Sequence, residues 1–229
     1  MVFDWRDQSV WTMLQTVASS NSGIRSFISK IDYFVAYHGC RTTDVLSYYG
    51  NGLLIANHSK LTDRANQIFV CNTFPQVRES DIQERISEMG GIDNHTTYAV
   101  LDKNHFLKDA AHYLIYGSEF IVGVAAGLTC RYGIDYRQHL KTIGVPTVFK
   151  LSIPVEYIRL SDIDELATML CCRLKDDWHG LDTAPLFDFS FTFKRNLPPE
   201  CFVAHEHPAK LIDPLMGYTE YKVDRTTDY

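Results

Sequence analysis

Phe187, Phe189, Phe191 and Phe193 occupy every second position of one stretch, with polar residues between them. A helix, at 3.6 residues per turn, would scatter these rings around its surface; a strand gathers them on one face. The chain must therefore build a sheet, with this stretch as a half-buried strand. Short β-rich runs recur at residues 33–37 (Tyr-Phe-Val-Ala-Tyr), 96–101, 113–116, 147–153 ahead of Pro154, and 201–204 after the Pro198-Pro199 break. Helical patterns lie between them. Val10, Trp11, Leu14 and Val17, then Ile24, Phe27, Ile28 and Ile31, fit one or two amphipathic helices broken near Ser19-Ser20-Asn21-Ser22-Gly23. Further helices are predicted at 44–49 up to Gly50-Asn51-Gly52, at 80–89 up to Gly90-Gly91, and at 119–128 with Ser118 as cap. Two more are predicted at 134–143 before Gly144 and Pro146, and at 161–173. No Gly-rich turn follows a strand, which disfavours a Rossmann fold. The pattern predicts an α+β domain with a mostly antiparallel sheet and flanking helices. It spans residues 1–229 as one unit, with 1–30 as a helical N-terminal extension.

Charge and cysteine usage narrow the function. The net charge of −6 gains little from neutralising phosphates, so nonspecific duplex binding is not expected. No apolar run reaches 18 residues, so no membrane span is expected. The first residues, Met-Val-Phe-Asp-Trp-Arg-Asp, do not read as a secretory signal. The six cysteines (Cys40, Cys71, Cys130, Cys171, Cys172 and Cys201) contain no C-x-x-C pair and read as reduced thiols of a cytoplasmic protein.

The stretch with chemical content is 33–55. A β-run delivers His38 and Gly39 at its end, Cys40, Arg41 and a short helix follow, and Asn51-Gly52-Leu53-Leu54 closes it. An imidazole can hydrogen-bond a sugar hydroxyl while neutral, and a glycine leaves backbone N–H and C=O open to a close ligand. This arrangement resembles the first motif of the ADP-ribosyltransferase superfamily, versions of which occur in poly(ADP-ribose) polymerases, DNA-modifying DarT toxins and RNA 2′-phosphotransferases. Cys40 stands where that motif has Thr or Ser.

The resemblance implies a split-sheet fold and transfer of ADP-ribose from NAD to a macromolecular acceptor (protein, DNA or RNA), with release of nicotinamide. It gives His38 the ribose and Gly39 the nicotinamide carboxamide. Arg41 is either a pyrophosphate contact or an exposed helix-start residue. The stacking tyrosine of the second motif is Tyr113 or Tyr116, with Tyr98 as a third candidate. The carboxylate that stabilises positive charge at the ribose C1′ is Glu119 or Glu200, with Glu156 a more distant choice. An enzyme of this kind would suit a toxin, a phage-encoded modifier or a defence component.

Other constellations carry less. His205 and His207 sit at i and i+2 and can share a metal on one strand face, but no third ligand is evident nearby, so no metal is expected. Ser118 lacks the G-x-S-x-G frame, although a serine or thiol hydrolase needs no local motif. No Walker pattern is present. The alternative from a different class is a non-catalytic module that binds a protein partner through its 13 Tyr and 13 Phe.

Overall fold

The computed structural model describes residues 1–17, 21–55, 57–89, 96–175 and 188–223. Strand β1 (Val2–Phe3) leads into helices α1 (Gln8–Val17) and α2 (Asn21–Ile28). Strand β2 (Tyr33–Thr42) follows, twice the length of its apolar run. Then come α3 (Leu46–Asn51), α4 (His58–Phe69) and α5 (Glu79–Glu88). The Asn57 side chain caps α4 by accepting from Lys60 N, and Asp81 accepts from Arg78 N at the start of α5. Strand β3 (Thr97–Val100) runs into α6 (Lys103–Lys108), α7 (His112–Ile115), α8 (Glu119–Tyr132) and α9 (Arg137–Leu140). Strand β4 (Val145–Pro154), helix α10 (Leu160–Lys175) and strands β5 (Ser190–Phe193) and β6 (Phe202–Glu206) follow. The chain then forms a separate hairpin of β7 (Lys210–Asp213) and β8 (Thr219–Lys222).

The result is an α+β fold built on a mostly antiparallel sheet of order β5-β3-β2-β4-β6. β2 pairs with β4 along its full length, from Tyr33 opposite Pro154 to Thr42 opposite Val145. Its other edge is shared. β1 lies there in parallel, with Val2 opposite Tyr33, and β3 meets it at the single pair Tyr37–Val100. Beyond Tyr37 that edge of β2 has no strand partner among the described residues.

β2 is buried on both faces, and its alternation sorts the core into two layers. Phe34 and Ala36 join Trp5, Trp11, Leu14, Ile24 and Leu166 under α1, α2 and α10. Val35 and Tyr37 join Ile68, Phe106, Leu114, Val124 and Leu128 under α4 to α8. Residues 1–30 contribute β1 and the helices α1 and α2, and their Phe3, Trp5 and Leu14 are fully buried in the first layer. Phe189, Phe191 and Phe193 all point into that layer while Ser190 is exposed, as a period of two requires. Each such ring contributes about 2 kcal/mol by leaving water.

Three expectations change. Residues 113–116 form the helical turn α7, not a strand, with Ile115 N bonded to Ala111 O and Tyr116 N to His112 O. Four apolar residues without alternation fit either geometry. Ala110 and Ala111 favour the helix, which buries Leu114 and Ile115 against β2 and β4. The late strand starts at Phe202 because residues 199–201 form a 3₁₀ turn. Helices α4 and α6 and the β7–β8 hairpin were not anticipated. Phe187, the Gly90-Gly91 stop and residues 18–20 of the α1–α2 break lie outside the described residues. No helix among those described is long and apolar enough to cross a membrane.

Candidate functional site

A cavity of about 820 Å³ opens where β3 has left the edge of β2. Successive residues of a strand point to opposite faces, yet His38, Gly39, Cys40 and Arg41 all line this one cavity. It therefore wraps around the unpartnered edge of β2 rather than lying on one face. The far walls come from β3 (Thr97, Tyr98), α6 (His105, Phe106), α7 (Tyr113) and the start of α8 (Glu119).

His38 is half-buried, and its Nδ1 lies 2.9 Å from Tyr98 O. A carbonyl only accepts, so Nδ1 carries the hydrogen. Burial pushes the imidazole below its ordinary value, with the Tyr98 bond opposing this. The neutral ring then keeps Nε2 as an acceptor, and Nε2 has no hydrogen-bond partner among the described residues.

Gly39 is buried under Phe106. A Cβ there would come within 2.7 Å of that ring, so the absence of a side chain is what lets α6 close over β2. Gly39→Ala is expected to cost about 1–3 kcal/mol of unfolding free energy by overpacking. Gly39→Ala with Phe106→Leu should lose less than the sum of the two single changes, which denaturant melts of the three variants would measure.

Arg41 is half-buried on β2, not at a helix start. Its guanidinium donates to the carbonyls of Ile143 (2.8 Å), Leu114 (3.4 Å) and Lys141. These bonds brace the end of β2 against the ends of α7 and α9. Arg64, on the unanticipated helix α4, also lines the cavity, and it makes no ion pair among the described residues. It stands in the wall shared with a second pocket of about 390 Å³, whose polar groups include Thr42, Asp44, Ser47 and Asn51. The sequence signal for Arg64 was the Asn57 cap followed by Leu61, Ala65, Ile68 and Phe69 at helical spacing.

Tyr113 and Tyr116 are a helical turn apart, and both touch the cavity. They differ in burial. Tyr116 is 2 % exposed and its hydroxyl donates to Asp213 at 2.5 Å. Tyr113 is half-buried; burial and a hydrogen bond to the Glu119 carboxylate both push its hydroxyl pKa up, so it remains a donor. Tyr98, 48 % exposed, lines the same cavity from β3.

The two glutamates separate. Glu119 lines the cavity as the first residue of α8, where the helix's positive end favours an anion. Gly117, at φ 93°, takes a conformation side chains rarely adopt and turns the chain between α7 and α8. Glu119 Oε1 lies 3.8 Å from His112 Nε2. Glu200 sits exposed in the 199–201 turn and is not among the cavity's lining residues; nor is Glu156.

The remaining candidates are accounted for structurally. Burial pushes the Cys40 thiol up to about 12, and Sγ accepts a long bond from Tyr48 Oη at 3.5 Å. A thiol held protonated in this way is a poor nucleophile. His205 Nδ1 meets Tyr49 Oη at 2.8 Å, and His207 Nδ1 lies 3.0 Å from Pro146 O. Among the described residues no group of three or more His, Cys, Asp or Glu could hold a metal. Comparison with family models, curated proteins and solved structures finds no match to this chain.

Proposed function

We propose that the chain is an ADP-ribosyltransferase that binds NAD in this cavity and transfers ADP-ribose to an acceptor, releasing nicotinamide. One observation carries the reading. Of the nine residues singled out by sequence, seven (His38, Gly39, Arg41, Tyr98, Tyr113, Tyr116 and Glu119) line one cavity although they span some 80 positions of chain, while Glu200 and Glu156 do not. Its volume lies in the range of small-molecule sites, on the order of 300–1,000 Å³.

In this reading the bare Nε2 of His38 accepts from a ribose hydroxyl. Tyr113 and Tyr98, which both line the cavity, offer ring surface to the nicotinamide. Glu119, steadied by the Tyr113 hydroxyl and by His112, stands where a carboxylate would offset positive charge growing at C1′ as the bond to nicotinamide lengthens. With the Arg41 donors engaged by carbonyls, Arg64 is the better contact for the pyrophosphate. The polar second pocket beyond it then suits the adenosine end of an elongated dinucleotide. An ADP-ribosyltransferase-type split of the sheet, with the cofactor in the gap between β2 and β3, fits the same picture.

The test is nicotinamide release from NAD by the purified chain, with Tyr113→Ala and Tyr116→Ala compared. Tyr113→Ala is expected to weaken NAD binding roughly tenfold through lost stacking, while Tyr116→Ala should act mainly on stability. No release by the wild-type protein with any acceptor would end the proposal.

A further inference from the structure

His105 has no part in the chemistry above, yet it lines the same cavity from α6. Its side chain is 19 % exposed, so it is held in place while still reaching the open space. Nδ1 lies 4.0 Å from Asp109 Oδ2, one turn along its own helix, and Nε2 lies 3.9 Å from Asp188 Oδ1, just ahead of β5. Both separations exceed a hydrogen bond, so the two carboxylates flank the ring without occupying either nitrogen.

We propose that His105 is the general base of the transfer step and that the acceptor is a hydroxyl group on a protein side chain. The inference rests on the transferase reading of the cavity. A carboxylate acceptor arrives already deprotonated and needs no base, whereas a hydroxyl must lose its proton as it attacks. The carboxylates on this side, Asp109, Asp188 and Glu119, are 51 %, 82 % and 73 % exposed, and the whole chain carries −6. Such a rim repels a phosphate backbone, which favours a protein over a nucleic acid.

The step balances. The acceptor oxygen forms a bond to C1′ of the nicotinamide ribose. The bond from C1′ to the pyridinium nitrogen breaks, and its electron pair leaves with neutral nicotinamide. The hydroxyl proton passes to a His105 ring nitrogen, and Asp109 or Asp188 stabilises the imidazolium that forms.

The experiment incubates wild-type and His105→Gln protein with NAD and excess N-acetylserinamide, N-acetylglutamic acid amide, N-acetylargininamide or a single-stranded DNA oligonucleotide. ADP-ribosylated products are read by mass, with nicotinamide release into water and the NAD-induced shift in melting measured alongside. The wild type is expected to modify the seryl compound. In His105→Gln that product should fall at least about a hundredfold, while the NAD-induced melting shift stays as in the wild type. Transfer to the glutamyl, arginyl or DNA acceptor instead, transfer to none of them, or an unchanged seryl rate in His105→Gln overturns the assignment. Absence of any nicotinamide release and of any NAD-induced shift in the wild type removes the transferase reading itself, and this inference with it.

Discussion

Glu119→Gln is expected to lower nicotinamide release from NAD by about a thousandfold, roughly 4 kcal/mol of transition-state stabilisation. The glutamine keeps the size of the side chain and a polar tip, and removes the negative charge. The loss should therefore fall on the rate, with NAD affinity nearly unchanged, because positive charge at C1′ is large only as nicotinamide departs. The side chain is 73 % exposed, so its replacement should leave the melting temperature almost where it was. Glu200→Gln, at a turn outside the cavity, should leave the rate at its wild-type value. Steady-state kinetics of the two variants separate the glutamates: a Glu119→Gln rate within a few-fold of wild type, or a collapse in Glu200→Gln, would reverse the assignment.

The second large effect is on stability. Asp213 is 2 % exposed and joins three parts of the fold. It accepts from the Tyr116 hydroxyl of the residue ending α7, lies 3.5 Å from Lys141 Nζ, and accepts from Leu215 N at the turn between β7 and β8. Asp213→Ala removes these acceptors together and leaves a buried hydroxyl and a mostly buried ammonium without them. The expected cost is about 3 kcal/mol, the lower end for a broken buried pair because the Lys141 side chain keeps 18 % exposure to water. For a chain of this size that lowers the melting temperature by roughly 6–12 °C. Asp213→Asn keeps an acceptor for Tyr116 and should lose markedly less. Because α7 also carries Tyr113, Asp213→Ala should weaken NAD binding as well, and a melting scan with and without NAD measures both effects.

Local pattern made much of this fold legible. The alternation of Phe189, Phe191 and Phe193 gave a strand, and the apolar run from Tyr33 gave β2 with His38 and Gly39 near its end. The Ser118 cap gave the start of α8, and its hydroxyl accepts from Ile121 N. Residues 113–116 failed because Tyr-Leu-Ile-Tyr has no period to read, and burial against two strands decided its shape. Helix α4 was legible from Asn57 and the spacing that follows, but its apolar stripe is sparse among polar residues. With α4 unread, Arg64 could not be placed.

The site itself depended on long-range geometry. That β3 pairs with β2 only at Tyr37–Val100, and so leaves an edge open, follows from pairing between segments some 60 residues apart. Nothing near Arg41 reveals that its guanidinium meets carbonyls about 100 residues downstream. The choice between Glu119 and Glu200 was likewise closed to sequence, since each has an ordinary local role and only the cavity distinguishes them.

The most direct measurement is the melting temperature of the wild-type chain across a titration of NAD. A ligand bound only by the folded state adds about 2.7 kcal/mol at a hundred times its dissociation constant. A saturable rise with NAD is expected, lost in His38→Ala while that variant still melts cooperatively on its own. A wild-type melt unmoved by millimolar NAD would contradict a dinucleotide at the open edge of β2.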